Sequence, residues 1–122
     1  MSKVEPYFMG FDECKSYMQD DADGLSFRKV LPLGLMPNVD IGLVTAEGPT
    51  HKFAGTHSEW DQCYIVFKGT GYVYLSDKKI RIDRPGIVYI PIGTKHSIEV
   101  DQEQTMQYIY INRYVDSYAP EE

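Results

Sequence analysis

Between residues 25 and 114 no apolar run lasts long before turn-forming residues interrupt it, and that punctuation constrains the fold more than any other feature. The separators are Pro32, Gly34 and Pro37; Glu47-Gly48-Pro49-Thr50; Gly69-Thr70-Gly71; Ser76-Asp77; Arg84-Pro85-Gly86; Pro91-Ile92-Gly93; and Asp101-Gln102. Each combines residue types that favour tight turns. The segments between them, 26–31, 39–46, 51–57, 62–68, 72–75, 79–82, 87–90, 95–100 and 104–114, suit strands and are mostly too short for helices. No helical segment is available to cross over between parallel strands, so the pattern predicts an antiparallel sandwich or barrel. Upstream, Phe11, Cys14, Tyr17 and Met18 recur at helical spacing and predict one short amphipathic helix over 11–19. The acidic turn over 20–24 lacks the later bidentate glutamate of a calcium loop and reads as solvated. The expected organisation is a single domain over 1–122, with an N-terminal arm and short helix in 1–24 and a barrel core over about 25–114.

Composition narrows the functional classes. A chain of 122 residues, 43% hydrophobic and 25% charged, is large enough to bury a core of its own. Its 10 tyrosines and 10 glycines fit aromatic strands joined by tight turns. Twelve basic against 18 acidic residues leave a net charge of -6 with no basic stripe, which argues against nucleic acid and anionic membrane as partners. Only Cys14 and Cys63 are present, too few for a disulfide framework. With neither a signal peptide pattern nor a membrane-length apolar run, the expected setting is the cytoplasm.

Strand alternation sorts the residues that could carry chemistry. On the segment 95–100, His96, Ile98 and Val100 share the apolar face, which makes His96 inward-facing. On 62–68 the same face carries Gln62, Tyr64 and Val66, and on 51–57 Gly55 shares a face with His57. Cys63 has the opposite parity and is expected to point away. If the barrel closes, His57, Gln62 and His96 converge from three strands, and their donors suit a divalent transition metal. The competing reading is a hydrogen-bonded core histidine and an amide that satisfies a turn. Tyr64, Tyr74, Tyr89, Tyr108 and Tyr110 are candidates for lining the interior, with Trp60 at the rim as a gate or a subunit contact. His51 is expected in the loop before its strand, exposed or folded over the barrel mouth as a further ligand or base. Glu59 is expected in the turn after His57, solvated or swung inward to complete a two-His, one-carboxylate set.

These residues resemble the motifs of the cupin superfamily, specifically its small single-domain conserved-barrel members. The first cupin motif is G-x5-H-x-H-x3/4-E-x6-G. Here Gly55-Thr56-His57, four further residues, Gln62, six more and Gly69 fit its frame. The second motif is G-x5-P-x-G-x2-H-x3-N, and Pro91-Ile92-Gly93-Thr94-Lys95-His96 matches its centre. The departures are Gly55 in place of the first histidine, Gln62 in place of the glutamate, Pro85-Gly86 near the second motif's start, and Val100 in place of its asparagine. The resemblance implies a double-stranded β-helix, the jelly-roll barrel, and a homodimer. It carries over His57 and His96 as metal ligands, with Gln62 at the glutamate position. It further implies a divalent metal (Zn, Ni, Fe or Mn), weakly bound or absent because the carboxylate is missing.

Two functions follow. One is a small cupin that binds an oxygen-rich molecule, such as a sugar derivative or keto acid, through a metal held by His57, Gln62 and His96. Isomerase or lyase chemistry would then be open to it. The other is a metal-free, non-catalytic ligand-binding or sensory domain.

Overall fold

The computed structural model describes residues 5–14, 16–20, 25–31, 35–56 and 58–115. A 3-10 turn at Phe11–Glu13 is followed by β1 (Ser16–Asp20), β2 (Leu25–Lys29), β3 (Val39–Glu47), β4 (Thr50–Gly55) and β5 (Trp60–Lys68). Then come β6 (Gly71–Leu75), β7 (Lys78–Ile82), β8 (Gly86–Ile90), β9 (His96–Val100) and β10 (Thr105–Tyr114). They form a six-stranded sheet, β1-β2-β3-β10-β5-β8, and a four-stranded sheet, β4-β9-β6-β7, with every pairing antiparallel. This is the antiparallel all-β architecture that the turn punctuation predicts, in the jelly-roll form that the cupin resemblance implies, because antiparallel strands joined by tight turns need no helical crossover.

Alternation decides what lies inside. Along β10, Met106, Tyr108, Tyr110, Asn112 and Tyr114 are buried while the residues between them are more exposed. Val44 and Ala46 of β3, Val66 of β5, Val73 of β6, and Ile98 and Val100 of β9 meet Met106 in one core. Each fully buried side chain of this size contributes roughly 1.5–3 kcal/mol. A slip of one residue would turn the whole set toward water, so burial itself fixes the register.

The predicted helix over 11–19 does not form. Only the turn at Phe11–Glu13 is helical, and residues 16–20 pair with β2 as a hairpin. The apolar spacing that suggests a helix is used differently. Phe11 meets Phe67 at a centroid distance of 6.1 Å, and Cys14 is buried with its carbonyl accepting from Arg28 Nη1 at 2.6 Å. The segment thus crosses the outer face of the six-stranded sheet, and sheet packing outweighs the local helical pattern. The acidic turn falls on residues 21–24, outside those described.

A polar clamp ties three strands together on that same outer face. Arg113 of β10 donates from Nε and Nη2 to Asp61 of β5 at 3.1 and 2.7 Å, and the Tyr89 hydroxyl of β8 donates to Asp61 at 2.8 Å. The Arg113 hydrogen bond, more than any other cause, holds the Asp61 carboxyl below its ordinary pKa of 3.8, against the opposing effect of burial.

Two outcomes test this architecture. Gly69 closes β5 at φ +94°, and a Cβ there would stand 2.4 Å from the Thr105 carbonyl oxygen. Left-handed backbone costs an L-residue about 1–2 kcal/mol before any clash, so Gly69→Ala should lose more than about 2 kcal/mol in urea unfolding. A loss within experimental error of zero contradicts the close approach. The second outcome concerns acid. As pH falls below 3.8, the unfolded chain takes up the Asp61 proton first, so the clamp stabilises fully above 3.8 and its contribution fades through the lower folded-state pKa. Asp61→Asn should lower stability at neutral pH and flatten its pH dependence below 3.8; wild-type and variant curves that run parallel contradict it.

Candidate functional site

One end of the interior is polar. Asp40 of β3, Asn112 of β10 and Gln62 of β5 stand opposite one another in register, and Ile90 of β8 follows. Each shares its strand's inward face with core residues: Asp40 with Val44 and Ala46, Asn112 with Met106 and Tyr108, and Gln62 with Tyr64 and Val66. Gln62 Nε2 donates to Asn112 Oδ1 at 2.7 Å. Gln62 Oε1 is buried and accepts no hydrogen bond from any described residue. An amide oxygen buried in that condition costs about 1–3 kcal/mol, so a donor that meets it binds favourably. The outer clamp sits one residue along, where Asp61 faces Arg113 in the next register pair.

The opposite sheet contributes His96. It is 2% exposed, and its Nδ1 lies 3.1 Å from the Thr94 carbonyl oxygen. A carbonyl only accepts, so Nδ1 carries the proton and Nε2 is the acceptor of the neutral ring. Burial lowers the pKa of His96 below its ordinary 6.5, against a smaller opposing effect of the Thr94 bond. The ring meets Tyr64 edge-on at 6.4 Å, and Tyr64 in turn packs on Tyr108 at 4.5 Å. Burial also raises the Tyr64 pKa, which keeps its hydroxyl protonated. Gln62, Tyr64, Tyr108, Tyr110, Asn112 and His96 therefore share one interior.

The other candidates lie elsewhere. Tyr74 is on the outer face of the four-stranded sheet, where its hydroxyl donates to Glu99, because Val73 is the inward residue of β6. Tyr89 is 58% exposed on the outer face, because Ile90 takes the inward position of β8. Both tyrosines are corrections to the expected interior lining. Trp60 packs on Tyr114 with centroids 4.9 Å apart, at the end of β5 beyond Gln62. Glu59 is exposed, with its carbonyl accepting from Val115 N at 3.0 Å. The backbone of His51 belongs to β4, opposite Glu99, and not to the preceding loop. His57 lies outside the described residues. Asp40 and Asn112 were not singled out from the sequence. The signal was available, since each is a polar residue at the end of an otherwise apolar alternating face.

The donor set for a metal is incomplete among the described residues, since His57 lies outside them. Among the described residues no three His, Cys, Asp or Glu side chains come together in a group that could hold a metal. Of the expected set the described residues are His96 and Gln62, which offer one imidazole nitrogen and one amide oxygen, both neutral, while the buried carboxylate of Asp40 stands across Asn112 from Gln62; divalent cations favour sets with a charge-compensating carboxylate. Gly55, where the cupin motif has its first histidine, has φ +99° at the irregular end of β4. A histidine there would be strained, so the departure extends from side chain to backbone.

Comparison with known proteins bears on the fold and the family. The fold is that of the cupin barrels. A polyketide cyclase, RemF, from Streptomyces resistomycificus superposes with a TM-score of 0.75 at 17% identity, covering 92% of this chain and 87% of that one. KdgF from Halomonas sp. gives 0.72 at 20% identity, covering 88% and 94%. A cupin 2 conserved barrel domain protein from Salinispora arenicola gives 0.69 at 12% identity, covering 93% and 92%. No curated protein sequence matches the chain. Among the described residues, no helix is long and apolar enough to cross a membrane. Residues 38–116, which include the whole polar rung, match the AraC-like ligand binding domain, and on that match the chain belongs to the AraC-like ligand-binding domain family as a small cupin.

Proposed function

We infer that this domain binds a small, oxygen-rich, hydroxyl-bearing ligand directly through hydrogen bonds, without catalysis. The observation that carries this reading is the Gln62 amide, committed to Asn112 through Nε2 while its buried Oε1 accepts from no described residue. A ligand hydroxyl supplies the donor that oxygen lacks. His96 Nε2 offers a second acceptor across the barrel, and the Tyr64 and Tyr108 rings, tilted 34° to each other, give the interior an aromatic lining beside them. A few convergent polar groups on an apolar, aromatic wall is how small-ligand sites are commonly built. Membership of a ligand-binding family supports the same reading.

The metal-centred reading through His57, Gln62 and His96 is favoured by the surviving second motif and is the contrast that the experiment resolves. Binding of a panel of aldoses, polyols and hydroxy acids is measured by thermal shift and calorimetry for wild type, Gln62→Leu and Gln62→Glu. Direct binding requires that Gln62→Leu lose the response. It also requires that Gln62→Glu weaken it by about tenfold or more, since a carboxylate cannot donate to Asn112 Oδ1 and a buried acceptor left without its donor costs about 1–3 kcal/mol. Under a metal-centred site Gln62→Glu restores the family's carboxylate and strengthens binding in the presence of added metal; that result overturns the proposal.

A pH series gives an independent check. Burial lowers the folded-state pKa of His96 below its ordinary 6.5, so the neutral ring predominates above pH 6.5. Stability that depends on its neutral form is therefore fully present above 6.5 and is lost as pH falls through the lower folded value. Ligand affinity should be flat above pH 6.5 and weaken only below it. Affinity that climbs as His96 takes up its proton contradicts an acceptor role.

A further inference from the structure

The inward parity of the six-stranded sheet runs one row beyond the polar rung. Two residues along from Gln62, Asn112 and Asp40 stand Trp60 of β5, Tyr114 of β10 and Asn38 just ahead of β3. Tyr114 and Trp60 are register partners, and their rings pack with centroids 4.9 Å apart. The Asn38 carbonyl oxygen accepts from Tyr114 N at 2.8 Å, which carries the β3–β10 pairing past Val39 and Arg113. This outer rung lies about 7 Å from the inner one, the rise of two residues along a strand.

Asn38 is the unusual member of this row. Its backbone is left-handed, with φ +68°, a conformation that asparagine adopts more readily than most residues with a side chain. The residue is half-buried, yet its side-chain oxygen Oδ1 is fully buried and accepts from no described residue. Gln62 Oε1 is in the same condition on the inner rung. A buried acceptor without a donor is costly, so each of these oxygens favours a ligand that brings one. A hydroxyl carries a single proton, so one hydroxyl satisfies one of the two oxygens and leaves the other wanting.

We propose that Asn38 is a second specificity-determining residue, and that the ligand spans both rungs with two hydroxyl donors, one meeting Gln62 Oε1 and the other Asn38 Oδ1. The inference rests on the direct-binding reading above and adds to it the form of the ligand. Hydroxyls at opposite positions of a six-membered ring, each making a hydrogen bond of about 2.8 Å, cover the spacing between the rungs. A ligand with one hydroxyl satisfies only one of the two oxygens. The outer part of a two-ended ligand lies beside Trp60 and Tyr114, whose apolar ring surface receives the C–H face of such a ring. Trp60 thereby forms the outer wall of the site.

Two probes with the same ring test the proposal: trans-cyclohexane-1,4-diol, with two donors, and cyclohexanol, with one. Binding is followed by calorimetry and by the emission of Trp60, the chain's single tryptophan. Wild type is expected to bind the diol about tenfold or more tighter than cyclohexanol, the scale of one further buried acceptor satisfied. Saturating diol is expected to shift the Trp60 emission. Asn38→Gly removes the amide while a glycine accepts the left-handed backbone, and it is expected to lose the preference for the diol. Asn38→Asp keeps an acceptor oxygen and is expected to retain it. Gln62→Leu is expected to lose both probes. The wild-type comparison stands whether or not a variant folds, which circular dichroism checks. Wild type that binds both probes equally, a diol that leaves Trp60 emission unchanged, or a folded Asn38→Gly variant with the wild-type preference overturns this inference; loss of both probes in Gln62→Leu then leaves the direct-binding reading standing. Failure of wild type to bind either probe overturns the two together.

Discussion

Strand β10 is the member on which the rest depends. It hydrogen-bonds to β3 on one side and β5 on the other along almost its whole length, so its register sets theirs. Its two-residue alternation divides the sheet into an interior lined by Met106, Tyr108, Tyr110 and Asn112 and an exterior bearing Ile109, Ile111 and Arg113. The interior changes character along the strand. Met106 meets the aliphatic core, the two tyrosines follow, and Asn112 ends in the polar rung with Asp40 and Gln62. A slip of one residue would expose the core and bury Arg113, so the energetics of burial and the position of the site are one constraint.

The two faces are linked at that end of β10. Asn112 holds Gln62 inside, while Arg113 holds Asp61 and, through it, Tyr89 outside. The outer clamp therefore fixes the three strands close to the point where the inner amide pair must keep its geometry. Gln62 has one polar atom satisfied by the protein and one turned to the interior, a common form for a recognition site. The protein orients the group, and under the proposed function a ligand donor completes it. The same alternation leaves the outer face of β5 and β8 apolar, with Ile65, Phe67 and Ile87 exposed on the side away from Gln62.

Most of the architecture was legible in the sequence because two signals agreed: turn chemistry at regular intervals, and apolar alternation between the turns. The segments over 39–46, 62–68 and 95–100 matched β3, β5 and β9 to within two residues at either end, and the burial of His96 followed from its face with Ile98 and Val100. The helix over 11–19 failed because residues 16–20 gain more by pairing with β2 than by completing helical turns, a non-local gain that spacing does not reveal. Tyr74 and Tyr89 were selected by residue type; their own parity, opposite to Val73 and Ile90, places them outside. Asp40 and Asn112 escaped notice because their significance comes from cross-strand register with Gln62, and register joins residues far apart in the chain. His51 heads the strand segment 51–57 but was also read with the Gly48-Pro49-Thr50 loop before it; pairing with β9 begins at Thr50, so the strand reading is the one the backbone follows.

The central claim is that Gln62 meets its ligand directly, with no ion between them. Calorimetric titration of the strongest binder among the aldoses, polyols and hydroxy acids, in buffer with and without EDTA and with metal content measured in parallel, addresses it most directly. Direct recognition gives the same dissociation constant in both buffers, with metal well below one per chain. Binding that disappears in EDTA and returns with about one metal ion per chain would contradict the account.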